Sequence, residues 1–222
     1  MEMTEFWTIC SSNGMPIEKE QIELFKRYRD DVKYWNSKIN LVSRLDEDFL
    51  LERHFLHSIS CLKYLDLKQK ANCLDIGTGA GLPAIPLSIM KSDLKFTAID
   101  SIAKKIKTCE MFAKHLNLKH FRSLCIRAEQ LNEQKEEQRK YDYIFSRAVA
   151  SIEKTINWSN KLLKKHGAYI FYKGGDLEKE KKEALKSYPN LQIEEKSINI
   201  IGYDWYKENE KKIVICRFAG GE

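Results

Sequence analysis

The feature that most restricts the fold is the run Cys73-Leu74-Asp75-Ile76-Gly77-Thr78-Gly79-Ala80-Gly81-Leu82-Pro83. A short apolar stretch runs into three glycines at alternate positions, and a second apolar stretch opens with proline just beyond them. Glycines at such a place permit a tight strand-to-helix turn and leave bare backbone against which a ligand can lie. The remainder of the second half repeats this strand-then-helix texture. Short apolar runs near 72–76, 95–100, 121–126, 141–146, 167–173, 191–198 and 211–218 read as strands. Amphipathic stretches near 83–91, 103–117, 151–165 and 176–187 read as helices, with Ser151 and Asp176 as N-caps of the last two. The segment Gln130 to Lys140 is almost wholly polar and reads as a surface turn or short helix. Such alternation predicts an α/β fold around a mostly parallel sheet. No helix is expected between the last two strands, and neighbours joined without a crossover pair antiparallel.

The first third reads differently. Ile22, Phe25, Val32, Trp35 and Ile39 recur at steps of three, four and seven, which puts them on one face of a helix spanning Ile17 to Ile39. A second helix is expected from about Glu47 to Leu65, with Phe49, Leu50, Phe55, Leu56, Ile59 and Leu62 turned inward, and no strand pattern appears before residue 70. The expected organisation is a helical N-terminal extension over residues 1–68 and a ligand-binding domain over 69–222, packed as one unit.

Composition narrows the function classes. With 43% hydrophobic and 32% charged residues, the chain has the balance of a soluble globular protein. No apolar run approaches the roughly 20 residues that a membrane helix needs. The acidic start Met1-Glu2-Met3-Thr4-Glu5-Phe6 lacks the apolar core of a secretory signal, so the cytoplasm is the expected location. Six scattered cysteines without a C-x-x-C pair point to small buried hydrophobes rather than to zinc or disulfides. His54 and His57 lie one helical turn apart, but two histidines without a third ligand are not expected to hold a metal. The net charge is +6, and basic residues bunch at Lys26-Arg27-Tyr28-Arg29, Lys104-Lys105-Ile106-Lys107 and Lys161-Leu162-Leu163-Lys164-Lys165-His166. Each bunch alone suits a solvated helix face; together they suit a polyanion such as RNA.

The glycine spacing selects the kind of ligand. A dinucleotide fingerprint is G-x-G-x-x-G, with pyrophosphate seated on the helix N-terminus. Here Gly77, Gly79 and Gly81 follow G-x-G-x-G, Leu82 stands where the third dinucleotide glycine would be, and Asp75 precedes them. An acid there repels pyrophosphate and suits a cation, and S-adenosylmethionine (SAM) carries both a sulfonium and an ammonium. The strand Lys95-Phe96-Thr97-Ala98-Ile99-Asp100 then ends in an acid that can accept both ribose hydroxyls or, alternatively, cap the next helix. Past the third strand, Arg127-Ala128-Glu129 offers a small residue for an adenine ring and an acid for its amino group.

The fourth strand ends in Tyr141-Asp142-Tyr143-Ile144-Phe145-Ser146-Arg147-Ala148. Ligands sit beyond the carboxyl ends of parallel strands, so the chemistry is expected here. Pro16, Pro83, Pro86 and Pro189 all lie elsewhere, as do the cysteines. That disfavours the proline-rich turn of exocyclic-amine methylation and the cysteine nucleophile of cytosine-C5 methylation. A target with its own lone pair remains, and guanine N7 is such an atom. Arg147 could hold the base or a phosphate, with a structural salt bridge as the alternative. Two other functions stay open on these residues: methylation of a small molecule or protein, and RNA binding without catalysis.

At this point the sequence resembles the small-subunit rRNA guanine-N7 methyltransferases, also called glucose-inhibited division protein B. The resemblance runs through Trp35-Asn36-Ser37-Lys38-Ile39-Asn40-Leu41, Arg53-His54, Asp75 to Pro83, Ile85-Pro86-Leu87, Asp100-Ser101, Lys104-Lys105, Ser146-Arg147-Ala148 and Lys173-Gly174, covering roughly residues 20 to 178. It implies a class I SAM-dependent methyltransferase fold, with a seven-stranded sheet ending in an antiparallel strand. It also implies N7 methylation of one guanosine in 16S rRNA, with free rRNA or the 30S ribosomal particle as partner of a monomer. The family's cofactor contacts fall on Gly77, Leu82, Ala128, Glu129 and Arg147, and its basic positions toward RNA or the cofactor carboxylate on Lys104, Lys105, Arg127 and Lys173. Two departures are Ala84, where glycine is usual, and His57, where aspartate is usual. After about residue 178 only the pattern matches.

Overall fold

The computed structural model describes residues 1–220. Its sheet is built from β1 (Asn72–Ile76), β2 (Lys95–Asp100), β3 (Phe121–Cys125), β4 (Tyr141–Arg147), β5 (Leu163–Gly174), β6 (Leu191–Ser197) and β7 (Lys211–Phe218). The order across the sheet is β3-β2-β1-β4-β5-β7-β6. The first five strands pair parallel, and β7 runs antiparallel to both β5 and β6.

The helices between strands are α4 (Ala84–Met90), α5 (Ala103–His115), α6 (Ala128–Asn132), α7 (Ile152–Ser159) and α8 (Glu178–Ser187); α1 (Met3–Ser12), α2 (Lys19–Asn36) and α3 (Leu56–Ile59) precede the sheet. Successive strand residues point to opposite faces, and both faces of the central strands are covered, so β1, β2, β4, β5 and β7 each carry an apolar run, whereas the edge strands β3 and β6 are largely polar. Cys73, Phe96, Phe145, Ile170 and Ile213 face one layer together with Phe6, Phe25 and Phe55 of the N-terminal helices. Leu74, Ile99, Ile144, Tyr169 and Val214 face the other, against Leu131, Ile156 and Ala184 of α6, α7 and α8.

The N-terminal helices are tied directly to the glycine turn. The Tyr28 hydroxyl donates to the Ala80 carbonyl at 2.8 Å, and the Gln21 amide donates to Ile89 O at 2.9 Å. Tyr28 stacks on Phe55 with ring centroids 4.6 Å apart. α2 begins with a capping box between Glu18 and Gln21. It ends where the Asn36 carboxamide oxygen accepts from Leu41 N at 2.9 Å and Val42 N at 3.0 Å. This turn is the physical content of the Trp35-Asn36-Ser37-Lys38-Ile39-Asn40-Leu41 stretch.

Three local expectations about elements are corrected, and one element lies where no reading was made. α1 was not legible as a separate helix. The single helix expected over Glu47–Leu65 is a chain of short turns, a 3₁₀ turn Arg44–Phe49, a π turn Leu50–Phe55, α3, and a 3₁₀ turn Ser60–Lys63. Tyr206 donates its hydroxyl to Glu52 O and Tyr172 to Ser58 O, drawing carbonyls away from a regular ladder. α7 stops at Ser159 rather than near 165, because Leu162 O accepts from Lys140 N and Tyr141 N at the start of β4. Finally, a one-turn helix α9 (Trp205–Glu208) lies between β6 and β7 where none was expected. Ser151 caps α7 as expected, accepting from Lys154 N at 3.3 Å, whereas the N-cap of α8 is Leu177 rather than the expected Asp176, which lies one residue earlier and accepts from Glu178 N at 2.9 Å.

Candidate active site

The site is built at the carboxyl ends of β1, β2 and β4. Leaving β1, the backbone N–H groups of Gly77 and Thr78 both donate to Ile99 O of β2, at 2.8 and 3.0 Å. That crossing requires φ of +71° at Gly77, a left-handed conformation that favours glycine. A Cβ there would stand 2.5 Å from Val149 Cγ2, so the loop after β4 lies against the bare backbone. At Gly81, with φ of +95°, a Cβ would meet Ile85 Cδ1 at 2.4 Å, and this lets α4 pack close behind the turn.

Asp100 holds the turn from the neighbouring strand. Its Oδ2 accepts from Gly79 N at 3.1 Å, and its Oδ1 accepts from Ile102 N at 2.9 Å at the entry to α5. The helix-start role thus coexists with the turn contact, and each carboxylate oxygen retains a lone pair for a ligand.

Asp75 is fully buried. Its Oδ2 accepts from Thr78 Oγ1 at 2.7 Å and from Ala84 N at 3.3 Å, whereas Oδ1 has no hydrogen-bond partner among the described residues. Burial pushes its carboxyl up to about 7, against the opposing pull of those two donors and of Arg147. A buried acceptor without a donor costs free energy until a ligand supplies one, and a cation would also stabilise the ionised form.

Beside the turn opens a cavity of about 360 Å³ lined by Gly77, Asp100, Lys105, Arg127, Ala128 and Glu129, with Val149 and Trp158 opposite. Six residues singled out from the sequence therefore meet around one space. Asp75, Gly79, Gly81 and Leu82 belong to the strand end and turn beside it and do not line it. Lys104 is exposed on α5. Lys173 is engaged within the protein: its Nζ donates to Ala150 O at 2.7 Å and pairs with Glu180 Oε1 at 2.6 Å. Trp158 and Val149 carried no signal in the sequence, because one sits on a helix face and the other in a loop, and only folding brings them to the cavity.

Arg147 ends β4 half-buried, in the field of Tyr28, Tyr172, Asp75 and Tyr206. No carboxylate lies within ion-pair distance of its guanidinium among the described residues, which answers the salt-bridge alternative. Its close polar neighbour is His54, whose Nδ1 lies 3.3 Å from Arg147 Nη2. An arginine can only donate, so Nδ1 accepts and the imidazole is neutral. Burial, then the Arg147 charge, push the His54 pKa down to about 3. His57 is pushed in the same direction by the same two causes. Among the described residues neither histidine Nε2 has a hydrogen-bond partner, although His54 Nε2 lies 3.9 Å from Asp46 Oδ2, and no group of three or more metal-ligating side chains occurs. Sequence spacing suggested only a metal question for His54, and its neighbour 93 residues away was invisible.

Comparison with known proteins agrees with this geometry. A relative from Carboxydothermus hydrogenoformans named Ribosomal RNA small subunit methyltransferase G is 39% identical over 191 residues, covering 86% of this chain and 81% of its own. One of the same name from Chlorobium phaeobacteroides is 34% identical over 221 residues, covering 97% and 96%. Among solved structures, a SAM dependent methyltransferase from Aquifex aeolicus superposes with a TM-score of 0.57 over 81% of this chain and 96% of its own, at 19% identity, and so shares the fold. The family profile described as GidB, rRNA small subunit methyltransferase G, matches residues 21–210. The chain is a methyltransferase of the GidB family, the rRNA small subunit methyltransferases G.

Proposed function

We propose that this enzyme transfers a methyl group from SAM to N7 of one guanosine in 16S rRNA, acting in the cytoplasm as a monomer on the rRNA or the 30S particle. The observation that carries the cofactor half is the unpartnered, buried Oδ1 of Asp75 beneath a glycine turn whose Gly77 tolerates no side chain. A cationic ligand in the cavity that Gly77 and Asp100 line is what this unpartnered carboxylate oxygen fits. Residues 69–222 supply this pocket, and residues 1–68 brace it through Tyr28 and His54. No helix among the described residues is long and apolar enough to cross a membrane.

SAM, when bound, supplies an electrophilic methyl carbon. The chain's residues supply position and fixed charge. Asp75 faces the cationic end, and Asp100 accepts from the ribose hydroxyls. Ala128 leaves room for the adenine ring and Glu129 accepts from its amino group. Gly79, Gly81 and Leu82 shape the turn. Arg147, free of any carboxylate, donates to the guanine edge or to an adjacent phosphate. Guanine N7 is nucleophilic when neutral, so no residue needs to remove a proton before transfer. Lys104, Lys105 and Arg127 present positive charge beside the cavity mouth for the RNA backbone, and Lys173 supports the loop after β4 through Ala150. N7 is hidden in the deep, narrow major groove of an A-form duplex, so the target is a guanosine outside a regular helix.

The test is depletion of the protein followed by chemical cleavage at N7-methylguanosine in 16S rRNA. Loss of one cleavage product is expected; an unchanged pattern refutes the assigned target.

A further inference from the structure

We propose that Phe49, Arg53 and Trp205 form a stacking platform for an unpaired nucleotide of the RNA substrate, beside the base that is methylated. It rests on the rRNA reading above and adds where the strand is gripped.

Two segments distant in sequence, residues 49–53 and 205–211, converge on one row of alternating rings and cations. The Arg53 guanidinium lies 3.7 Å from the Phe49 ring centroid and 5.1 Å from that of Trp205. Lys211 Nζ lies 5.3 Å from the other reach of Trp205. The row is preformed, because Asp46 Oδ1 accepts from Arg53 Nη1 at 2.9 Å and fixes the guanidinium in place. Part of it is nevertheless left in solvent: Phe49 is 36% exposed, while Trp205 is half-buried with its inner side packed on the core.

The row also adjoins the chemistry. Asp46 joins the two: its Oδ1 accepts from Arg53 Nη1 at 2.9 Å, its Oδ2 lies 3.9 Å from His54 Nε2, and His54 Nδ1 lies 3.3 Å from Arg147 Nη2. A nucleotide on Phe49 and Trp205 therefore sits next to the position that Arg147 serves.

The chemistry of the row identifies the occupant. Every base has a π-face, and an aromatic platform with neighbouring cations takes a base on the ring and its phosphate on the charge. Bases in a duplex have no free faces to offer, so the occupant is a loop or single strand, which is also where N7 is reachable. Asp46 is neutralised by Arg53, leaving Lys211 as the open charge for a phosphate. An acidic polypeptide would use the cations and leave the rings idle.

The test measures anisotropy of a labelled, unstructured oligoribonucleotide and of its duplex against the wild type, Phe49→Ala, Trp205→Ala and Trp205→Phe. Stacking on one ring sets the expected loss at about tenfold in single-strand affinity for each alanine variant, with duplex affinity unchanged. Trp205→Phe restores most of the loss. SAM affinity by calorimetry stays at the wild-type value in Phe49→Ala, whose exposed ring can be removed without disturbing the fold. Unchanged single-strand affinity in Phe49→Ala overturns the platform. So does an equal loss for single strand, duplex and polyglutamate, which would make the row a mere charged patch. Tritium transfer from SAM to 16S rRNA by the wild type judges the rRNA reading separately, since binding of an unpaired strand needs no turnover.

Discussion

Replacing Asp75 by asparagine tests the polarity of the glycine turn. The asparagine oxygen can take the place of Oδ2 and keep the donors Thr78 Oγ1 and Ala84 N, so the turn itself survives. What disappears is a buried carboxyl whose pKa is pushed up to about 7. The native state therefore holds that proton more tightly than the unfolded chain, whose carboxyl titrates near 4. Native stability must then fall as pH rises from about 4 to about 7 and level off above, at a slope of at most about 1.4 kcal/mol per pH unit. Over a gap of about three pH units the total is about 4 kcal/mol. The opposite trend comes from His54, whose pKa is pushed down to about 3: the unfolded chain takes up that proton below about 6.5, so stability is lost as pH falls. Urea melts of wild type and Asp75→Asn at matched pH values cancel the histidine contribution. The variant is expected to gain on the wild type by up to about 4 kcal/mol between pH 4 and pH 7. SAM should show the converse. Its positive charge favours the carboxylate, so wild-type binding releases a proton and tightens as pH rises toward 7, whereas the variant binds weakly and without that dependence. Parallel stability curves across pH 4 to 7 would refute the assignment of an uncompensated buried acid.

Arg147→Ala is expected to lower turnover at least a hundredfold while circular dichroism stays near wild type, the scale set by losing one preorganised donor; wild-type turnover would remove Arg147 from the site. Gly77→Ala places a methyl 2.5 Å from Val149 Cγ2 at a φ of +71°. It should cost about 1–3 kcal/mol in a urea melt and abolish detectable SAM binding by calorimetry; retention of SAM affinity would mean that no ligand lies on that backbone.

The legible parts of this fold are those in which local pattern and burial coincide. β1, β2 and β7 have the bounds read from the sequence, because the centre of each is an apolar run buried on both faces. α1 escaped because Met3, Phe6, Ile9 and Cys10 give only a ten-residue periodicity, too short to stand apart from a loop. The breaks between Arg44 and Lys63 depend on Tyr172 and Tyr206, which lie more than a hundred residues away. Within the site, the residues of the glycine turn and the strand-end acid were readable because their roles are set by neighbours along the chain. The partnership of His54 with Arg147 was not, since nothing in a histidine–histidine spacing encodes an arginine from β4.

The same distinction bears on how the helical segment relates to the chemistry. The change of texture near residue 68 marks where strands begin, but packing ignores it: Phe6, Phe25 and Phe55 share one core with Cys73, Phe96 and Ile170. Three polar contacts then tie that segment to catalytic parts, namely Tyr28 to the glycine turn, Gln21 to the end of α4 and His54 to Arg147. A neutral histidine is well suited to the last of these. A carboxylate at that place would neutralise the guanidinium that the proposed function assigns to the substrate, and a cation would repel it. An imidazole held neutral by burial can accept one hydrogen bond, fix the orientation of Arg147 and leave its charge available.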